Sequence, residues 1–361
     1  MMASMASASL DGDCSVQWQE QVRTAISQRQ LLALRGGGTK QFLGRGVEGM
    51  TLDTRAHRGI LRYDPTELII TARAGTPLTD IEAALAERGQ MLACEPPHFG
   101  AQATFGGMVA AGIAGPRRPW VGSVRDFVLG CRLIDGHARH LRFGGEVMKN
   151  VAGYDVARLM AGSFGCLGVL TEISMKVLPV AACRLTLRLE LDAAMALRQL
   201  TSWASQPLPI TGACHDGQAL YLRLEGGNGS VESSAKRLGG LVADDSFWLA
   251  LREQQLPFFT DSQSLWRLSL PPATPLLNLP GTQLLDWGGA QRWLRSEADA
   301  DTLRRVVSEA GGHATLWRAG THSGISTFHP LASPVLALHQ RLKAQLDPAG
   351  VFNPGRMYSD F

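Results

Sequence analysis

A run of glycines after an apolar segment is the first pattern in the sequence that could do chemistry. Leu31 to Leu34 lead into Arg35, and the next four residues are Gly36, Gly37, Gly38 and Thr39. Successive glycines allow backbone N–H groups to converge on an anion, and the Thr39 hydroxyl adds a further donor. The same run is equally compatible with a plain flexible turn. By itself it leaves both interpretations open, a phosphate-binding loop and a turn.

Two further stretches crowd small residues at points where a backbone would approach another group closely. One spans residues 103–112 and contains Thr104, Gly106 and Gly107. The other spans residues 162–172 and contains Gly165, Gly168 and Val169. Because glycine has no Cβ, both stretches permit close approach of a ligand or of another chain segment. Their presence favours the phosphate-binding interpretation of the first run.

Residues 44–49 match the dinucleotide fingerprint G-x-G-x-x-G, but their context differs from the one it needs. The fingerprint binds a pyrophosphate because a strand precedes it and the N-terminus of a helix follows it. Here Met50 to Ala74 read as strands, with Pro65 among them. We therefore expect no nicotinamide-dinucleotide fold, and a nicotinamide-dependent enzyme is an alternative that rests on this stretch alone.

Composition excludes several classes of protein. The chain has 361 residues and a formal net charge of +3, too small and too dispersed for nucleic-acid binding. No apolar run approaches the ~18–20 residues of a membrane-spanning helix. The six cysteines form no C-x-x-C pair, so a scaffold for an iron–sulfur cluster or a zinc ribbon is missing. Residues 1–13 carry no signal-sequence pattern and predict a disordered tail on a cytoplasmic protein.

The elements that position these stretches divide at Pro179. Before it, an amphipathic helix over Ser15–Gln28, short strands and a helix with Thr76 as N-cap and Pro77 at its first position surround the glycine-rich turns. After it, strict alternation over residues 185–191 begins a series of interleaved strands and helices. The sequence predicts an α+β fold, with one domain over residues 14–180 and a smaller, ferredoxin-like α+β cap domain over residues 181–361.

In their order and spacing, the three glycine stretches resemble the flavin domain of the vanillyl-alcohol-oxidase type, the p-cresol methylhydroxylase (PCMH) fold. The resemblance implies FAD, with its pyrophosphate between the first loop and the Thr-x-Gly-Gly stretch and the adenosine part beside the third stretch. It carries cofactor-binding roles to Gly36, Gly37, Gly38, Thr39, Thr104, Gly106, Gly107, Gly165, Gly168, Val169 and, near the isoalloxazine, Asn353. Some relatives attach FAD covalently through a His near these loops. No His follows the first loop before His57, so we expect non-covalent FAD.

Three more stretches, residues 150–155, 287–293 and 346–356, resemble the smaller flavin-binding subunits of bacterial glycolate oxidases. That resemblance implies an FAD-binding subunit that takes part in oxidising glycolate to glyoxylate and passes electrons onward. It implies two partners, a larger FAD-binding subunit and an iron–sulfur subunit, and attachment to the inner membrane only through them. In relatives the C-terminal tail returns to the flavin. The alternatives are a self-sufficient FAD-linked 2-hydroxy-acid dehydrogenase and a structural subunit that has lost its flavin.

The chemistry of 2-hydroxy-acid oxidation identifies what the sequence lacks. A base has to take the hydroxyl proton and a cation has to hold the carboxylate. Larger dehydrogenases of this type supply both from metal-binding stretches that are missing here, so we expect no metal and leave the catalytic residues unassigned. His313 as base and Arg318 as carboxylate anchor are the nearest candidates. A surface role on a strand is the simpler interpretation of both, and it predicts that turnover depends on the partner chains.

Overall fold

The computed structural model describes residues 12–145, 154–320 and 324–361. The helices of these ranges are α1 (Ser15–Gln28), α2 (Leu78–Ala86), α3 (Phe105–Ala111), α4 (Arg118–Val121), α5 (Val124–Phe127), α6 (Val156–Leu159), α7 (Ala193–Trp203), α8 (Asn228–Leu238), α9 (Ser246–Arg252), α10 (Ala300–Glu309) and α11 (Ser333–Leu346). The strands are β1 (Leu32–Arg35), β2 (Met50–Asp53), β3 (Ile60–Asp64), β4 (Ile69–Arg73), β5 (Gln90–Met91), β6 (Val128–Ile134), β7 (His140–Gly144), β8 (Val169–Lys176), β9 (Leu178–Pro179), β10 (Cys183–Leu189), β11 (Ile210–His215), β12 (Leu220–Gly226), β13 (Leu241–Ala243), β14 (Leu265–Ser269), β15 (Thr282–Asp286), β16 (Gln291–Arg295) and β17 (His313–Arg318).

The N-terminal part of the chain is built on an antiparallel sheet in the order β3-β4-β8-β6-β7. Beside it, β1 and β2 form a parallel pair in which Leu32 lies opposite Met50. Helix α1 covers this pair with an apolar stripe that includes Trp18 and Val22, as its sequence periodicity predicts. The tail of the chain joins the same strand, because Asn353 N–H donates to the Leu32 carbonyl at 3.0 Å. The glycine run after β1 is therefore held by segments from both ends of the chain.

The C-terminal part forms one sheet in the order β13-β10-β12-β11-β15-β16-β14-β17. Its first half follows the element order β10-α7-β11-β12-α8-β13, the split β-α-β-β-α-β arrangement of ferredoxin-like domains. The second half repeats the same strand order with β14 to β17 but has α10 alone as a connecting helix. The halves meet where His215 pairs with Leu285. The predicted α+β class with a ferredoxin-like layer is confirmed, although this sheet contains two such units.

Buried ion pairs join the two sheets. Glu95, which follows β5, binds Arg223 of β12 at 2.8 Å, and Arg117 binds Glu225 of the same strand. All four side chains are largely buried, so each charge is compensated by a partner instead of by water. The indole Nε1 of Trp287 donates to the Gly115 carbonyl at 3.0 Å across the same boundary. These contacts fix how one sheet faces the other.

The start of α2 differs from its prediction. The helix begins at Leu78 with Pro77 in the cap position, and Thr76 does not cap it. The Thr76 hydroxyl instead accepts a hydrogen bond from Gly59 N–H at 2.9 Å and donates to the Arg73 carbonyl at 2.7 Å. Because these partners lie on the β3–β4 hairpin, Thr76 ties the hairpin to the helix. Thr76, which the sequence predicts as a helix cap, therefore binds the hairpin instead of the helix.

Candidate functional site

The first two glycine stretches pack directly against each other. A Cβ at Gly37 would lie 1.5 Å from the Gln102 carbonyl oxygen, and one at Gly36 would lie 2.6 Å from Thr104 Oγ1. Gly38 has φ of 71°, which side chains disfavour. Any larger residue would push the loop after β1 away from the segment before α3. The glycines are needed first for this close packing, which places the loop at the edge of a groove.

The backbone amides of the loop are available to bind a ligand in the groove. Within the part of the chain that the structure describes, no acceptor pairs with the backbone N–H groups of residues 36–39. The first amides of α3 are already engaged, since Phe105 and Gly106 donate to the Thr76 and Ala74 carbonyls and Gly107 donates to Thr104 Oγ1. The loop, not the helix N-terminus, therefore offers the unsatisfied donors of an anion site.

Two adjoining cavities form a groove over these residues. Their volumes are about 380 and 110 Å³, and they share walls at Gly36, Gly107, Phe164 and Asn353. The larger cavity is lined by Gly36, Gly37, Gly38, Thr39, Thr104, Gly107 and Asn353, and the smaller one adds Gly106, Gly165, Gly168 and Val169. All the residues to which the resemblance gave cofactor roles are thus brought to one groove. Their contact with a cofactor stays a prediction.

Asn353 joins three walls of the groove. Its Oδ1 accepts the Leu34 N–H at 2.7 Å, and its Nδ2 donates to the Phe164 carbonyl at 2.7 Å. The residue has φ of 40° and is 5% exposed, so the tail is held in one conformation. A Cβ at Gly165 would lie 2.8 Å from Nδ2, which explains the glycine there. Asn353 is therefore a positioning residue whose amide is already committed to the backbone.

Two cations of the groove, Lys40 and Arg356, were not found from the sequence. Lys40 lines it next to Thr39, and its Nζ donates to Thr39 Oγ1 at 3.3 Å and to the His98 carbonyl at 3.1 Å. Burial lowers the pKa of Lys40 to about 8, against the opposing charge of Glu253. Its position directly after the glycine run was the available signal. Arg356 also lines the groove and donates to the carbonyls of residues 41 and 43, which pins the loop to the tail.

The G-x-G-x-x-G match has a place in the structure that its sequence did not predict. Strand β2 follows it directly, so the helix that the dinucleotide mechanism needs is replaced by a strand. Gly46 and Val47 nevertheless lie in the wall of the larger cavity. A Cβ at Gly46 would meet nothing within 4 Å. The stretch therefore contributes a wall to the groove without the mechanism of the fingerprint.

The other motifs differ in how far the structure describes them. Residues 150–153 of the 150–155 stretch lie outside the described residues, and Asp155 caps α6 by accepting the Arg158 N–H at 3.1 Å. Arg318 donates to Gln254 Oε1 at 2.7 Å and lies over the Phe42 ring, outside the lining of the groove. His313 lines a separate cavity together with Arg267 and Thr315. The structure thus does not bring His313 and Arg318 together in one site.

The groove is suited to FAD on its own chemistry. Its described lining residues include three cations, Arg35, Lys40 and Arg356, and no carboxylate, a balance that favours a diphosphate. The amides of residues 36–39, which have no acceptor among the described residues, fit the diphosphate of a dinucleotide cofactor. None of the described lining residues is His, Cys or Tyr, the side chains that could form a covalent bond to flavin. In the described residues, no helix is both long and apolar enough to cross a membrane.

Comparisons with known proteins agree with this geometry. The FAD binding domain family matches residues 15–144. The glycolate oxidase subunit GlcE of Escherichia coli K12 is 60% identical over 341 residues, which cover 94% of this chain and 96% of that protein. The glycolate oxidase subunit GlcD of Bacillus subtilis is 32% identical over 155 residues, 42% of this chain and 33% of that protein. A solved alkyldihydroxyacetonephosphate synthase shares the fold, with a TM-score of 0.65 at 16% identity over 93% of this chain and 73% of that one.

Fold and groove together define an FAD-dependent oxidoreductase of the PCMH type. The N-terminal part of the chain carries the FAD domain, and the strands from Cys183 onward build the second sheet above it. The chain belongs to the family of the glycolate oxidase subunit GlcE.

Proposed function

We propose that the chain is the FAD-binding subunit of a multi-subunit glycolate oxidase and takes part in oxidising glycolate to glyoxylate. The observation that carries the proposal is the 60% identity to the E. coli subunit, which extends over 94% of the chain and so includes the second sheet as well as the FAD domain. The partners are a larger FAD-binding subunit and an iron–sulfur subunit, which receives the electrons. The complex is cytoplasmic, and any attachment to the inner membrane is through those partners.

The groove residues would hold FAD in a defined order. The amides of residues 36–39 and the Thr39 hydroxyl bind the diphosphate, with Thr104, Gly106 and Gly107 on its other side. Gly165, Gly168 and Val169 lie beside the adenosine part, and Asn353 holds the groove wall near the isoalloxazine. FAD, when bound, supplies the hydride acceptor for the α-hydrogen of a hydroxy acid. The division of labour is an FAD-binding domain over residues 14–180 and a cap over residues 181–361, supported by the change of sheet between Pro179 and Cys183.

Cofactor content tests the proposal. We expect the purified chain to be yellow and acid precipitation to leave the flavin in the supernatant, because no His, Cys or Tyr lines the described groove. Colour that stays in the pellet would refute non-covalent binding, and a folded, colourless protein would support the structural-subunit alternative. Dye reduction by glycolate, measured for the lone chain and for the complex, separates a self-sufficient dehydrogenase from a subunit that needs its partners.

A glycine substitution tests the placement of the cofactor. A Cβ at Gly107 would approach only Thr104 Oγ1, at 3.0 Å, so Gly107→Val should fold while its side chain projects into the groove. We expect FAD to be lost with the far-UV circular dichroism kept. Gly229→Val in α8 is the matched control, since a Cβ there meets nothing within 4 Å and the residue lies outside the groove. Equal FAD content in both variants would refute the assignment of this groove.

A further inference from the structure

A further cavity lies beside the groove, between the FAD domain and the C-terminal sheet. Its volume is about 380 Å³, and it shares walls with the larger groove cavity at Ala111 and Phe164. The sheet contributes Arg267, His313, Thr315 and Trp317 to the lining. A ligand in this cavity would therefore be adjacent to whatever occupies the groove, separated from it only by the shared wall.

The strand register places the polar lining residues on one face of the sheet. Arg267 of β14 lies opposite Thr315 of β17 and opposite Trp293 of β16, and Ser269 lies opposite His313. Directly paired residues of antiparallel strands point to the same face, and so do residues two apart along a strand. His313 is thus the diagonal neighbour of Arg267, a relation that brings side chains to about 7–8 Å. The opposite face carries Trp266 and Leu268, which pack in the core under α10.

Arg267 is a half-buried cation on β14 that has no ion-pair partner among the described residues. Its Nε donates to Gln291 Oε1 at 2.6 Å, and its guanidinium lies 5.1 Å from the Trp287 ring and 5.7 Å from the Trp317 ring. Burial lowers the pKa of Arg267 to about 10, still far above neutrality. The nearby carboxylate, Asp286, is engaged by Trp287 N–H and Gln291 Nε2. The outer N–H groups of Arg267 are therefore available to a ligand anion.

His313 supplies a hydrogen-bond acceptor at the same cavity. Its ring forms no hydrogen bond with any described residue, whereas His329 accepts the Ala314 N–H at 3.3 Å and contacts Ser308 Oγ at 3.2 Å. Burial, and then the charges of Arg267 and His329, lower the pKa of His313, so its ring is neutral at neutral pH. A neutral imidazole has one nitrogen that can accept a hydrogen bond from a hydroxyl group.

We propose that this cavity binds a small 2-hydroxy carboxylate, with Arg267 holding its carboxylate and His313 accepting a hydrogen bond from its hydroxyl. The choice of ligand class rests on the proposed function, whereas the anion site rests on the unpaired guanidinium itself. Arg267 replaces Arg318 as the carboxylate anchor, because Arg318 lies outside this lining and is bound to Gln254. The Trp287–Trp293 stretch acts through Gln291, which orients the guanidinium from the neighbouring strand.

Calorimetric titration of the FAD-loaded chain tests the site. The probe is 2-hydroxyisobutyrate, which has no α-hydrogen and cannot be oxidised, so binding is measured apart from turnover. We expect it to bind, its uncharged amide to show no binding, and isobutyrate to bind about tenfold more weakly for want of the hydroxyl. Arg267→Gln should weaken 2-hydroxyisobutyrate about 10- to 100-fold, the range for a charge-assisted hydrogen bond. His313→Ala should remove the preference for the hydroxy acid and leave isobutyrate affinity unchanged.

Control variants separate the site from general damage. Arg318→Gln is matched to Arg267→Gln, since both arginines lie near aromatic rings on the last two strands of the sheet, β17 and β14. This variant should bind the probe like the wild type. Arg267→Lys keeps the charge and should retain part of the affinity, and FAD content with circular dichroism verifies folding of each variant. Absence of probe binding, equal loss in Arg318→Gln, or no loss in Arg267→Gln would overturn the proposal. Glycolate turnover by the complex is a separate measurement, so the proposed function can fail or stand independently of this site.

Discussion

Lys40 gives the groove a charged group whose pKa lies close to physiological pH. Its Nζ lies between Thr39 Oγ1 and the His98 carbonyl, and burial lowers its pKa to about 8. The other basic side chains of the groove, Arg35 and Arg356, are guanidinium groups. The FAD diphosphate would stabilise the ammonium form of Lys40, so the pKa of Lys40 should rise when the cofactor binds.

The direction and size of the pH effect follow from this difference. Below about pH 7 Lys40 is charged with or without FAD, and the affinity is constant. Above the free pKa of about 8, the free protein loses the proton that the complex retains, and the affinity falls toward tenfold per pH unit, or about 1.4 kcal/mol. We therefore expect FAD to bind about tenfold more weakly at about pH 9 than at about pH 7. Lys40→Met should bind FAD weakly at every pH and show no such slope.

Quenching of flavin fluorescence on titration of the apoprotein measures this dependence directly. Lys236→Met, on the exposed face of α8, is the control and should keep the wild-type slope. A dissociation constant of the wild type that does not change between about pH 7 and pH 9 would refute the charge assignment. A slope in Lys40→Met equal to that of the wild type would show that another group titrates.

Two further predictions concern the walls of the groove. Asn353→Ala leaves the Leu34 N–H and the Phe164 carbonyl without the side chain that binds each of them at 2.7 Å. Urea titration should therefore show a loss of about 2–4 kcal/mol in the free energy of unfolding, and the FAD content should fall. Unchanged stability would contradict the role of the tail. Gly37→Ala places a Cβ 1.5 Å from the Gln102 carbonyl oxygen and should abolish FAD retention. Gly227→Ala is the control and should retain FAD, because a Cβ there meets nothing within 4 Å. A Gly37→Ala protein that still holds its full FAD content would contradict the packing.

The groove could be predicted from the sequence because the glycines that form it lie in short, contiguous runs. Close packing of backbone on backbone requires glycine, so the runs at residues 36–38 and 106–107 mark the contact even before the fold is known. Element types were predictable for the same reason, since α1 and β8 have clear periodicity. What a glycine contacts was not predictable, and Gly106 turns out to pack on Ala74.

The cavity lined by Arg267 and His313 could not be predicted, because the register between strands decides which side chains face it. Arg267 and His313 come from two strands, and a shift of one residue in their pairing would turn one of the two side chains to the other face. Strand β16, which carries Gln291 beside Arg267, is buried on both faces and offers no alternation that would identify it in the sequence. A bulge between β14 and β17 separates Arg318, the anchor candidate that the sequence offered, from Arg267.

The return of the segment around Asn353 to β1 makes FAD retention a test of whether that segment has been made. Asn353 and Leu34, which share a hydrogen bond, are separated by 319 positions, and Arg356 binds the carbonyls of the loop that follows the first glycine run. During synthesis the glycine loop emerges early, but the wall that closes it emerges among the last residues described. A chain that stops before Asn353 therefore lacks this wall of the groove, and cofactor loading should follow synthesis of the segment around Asn353.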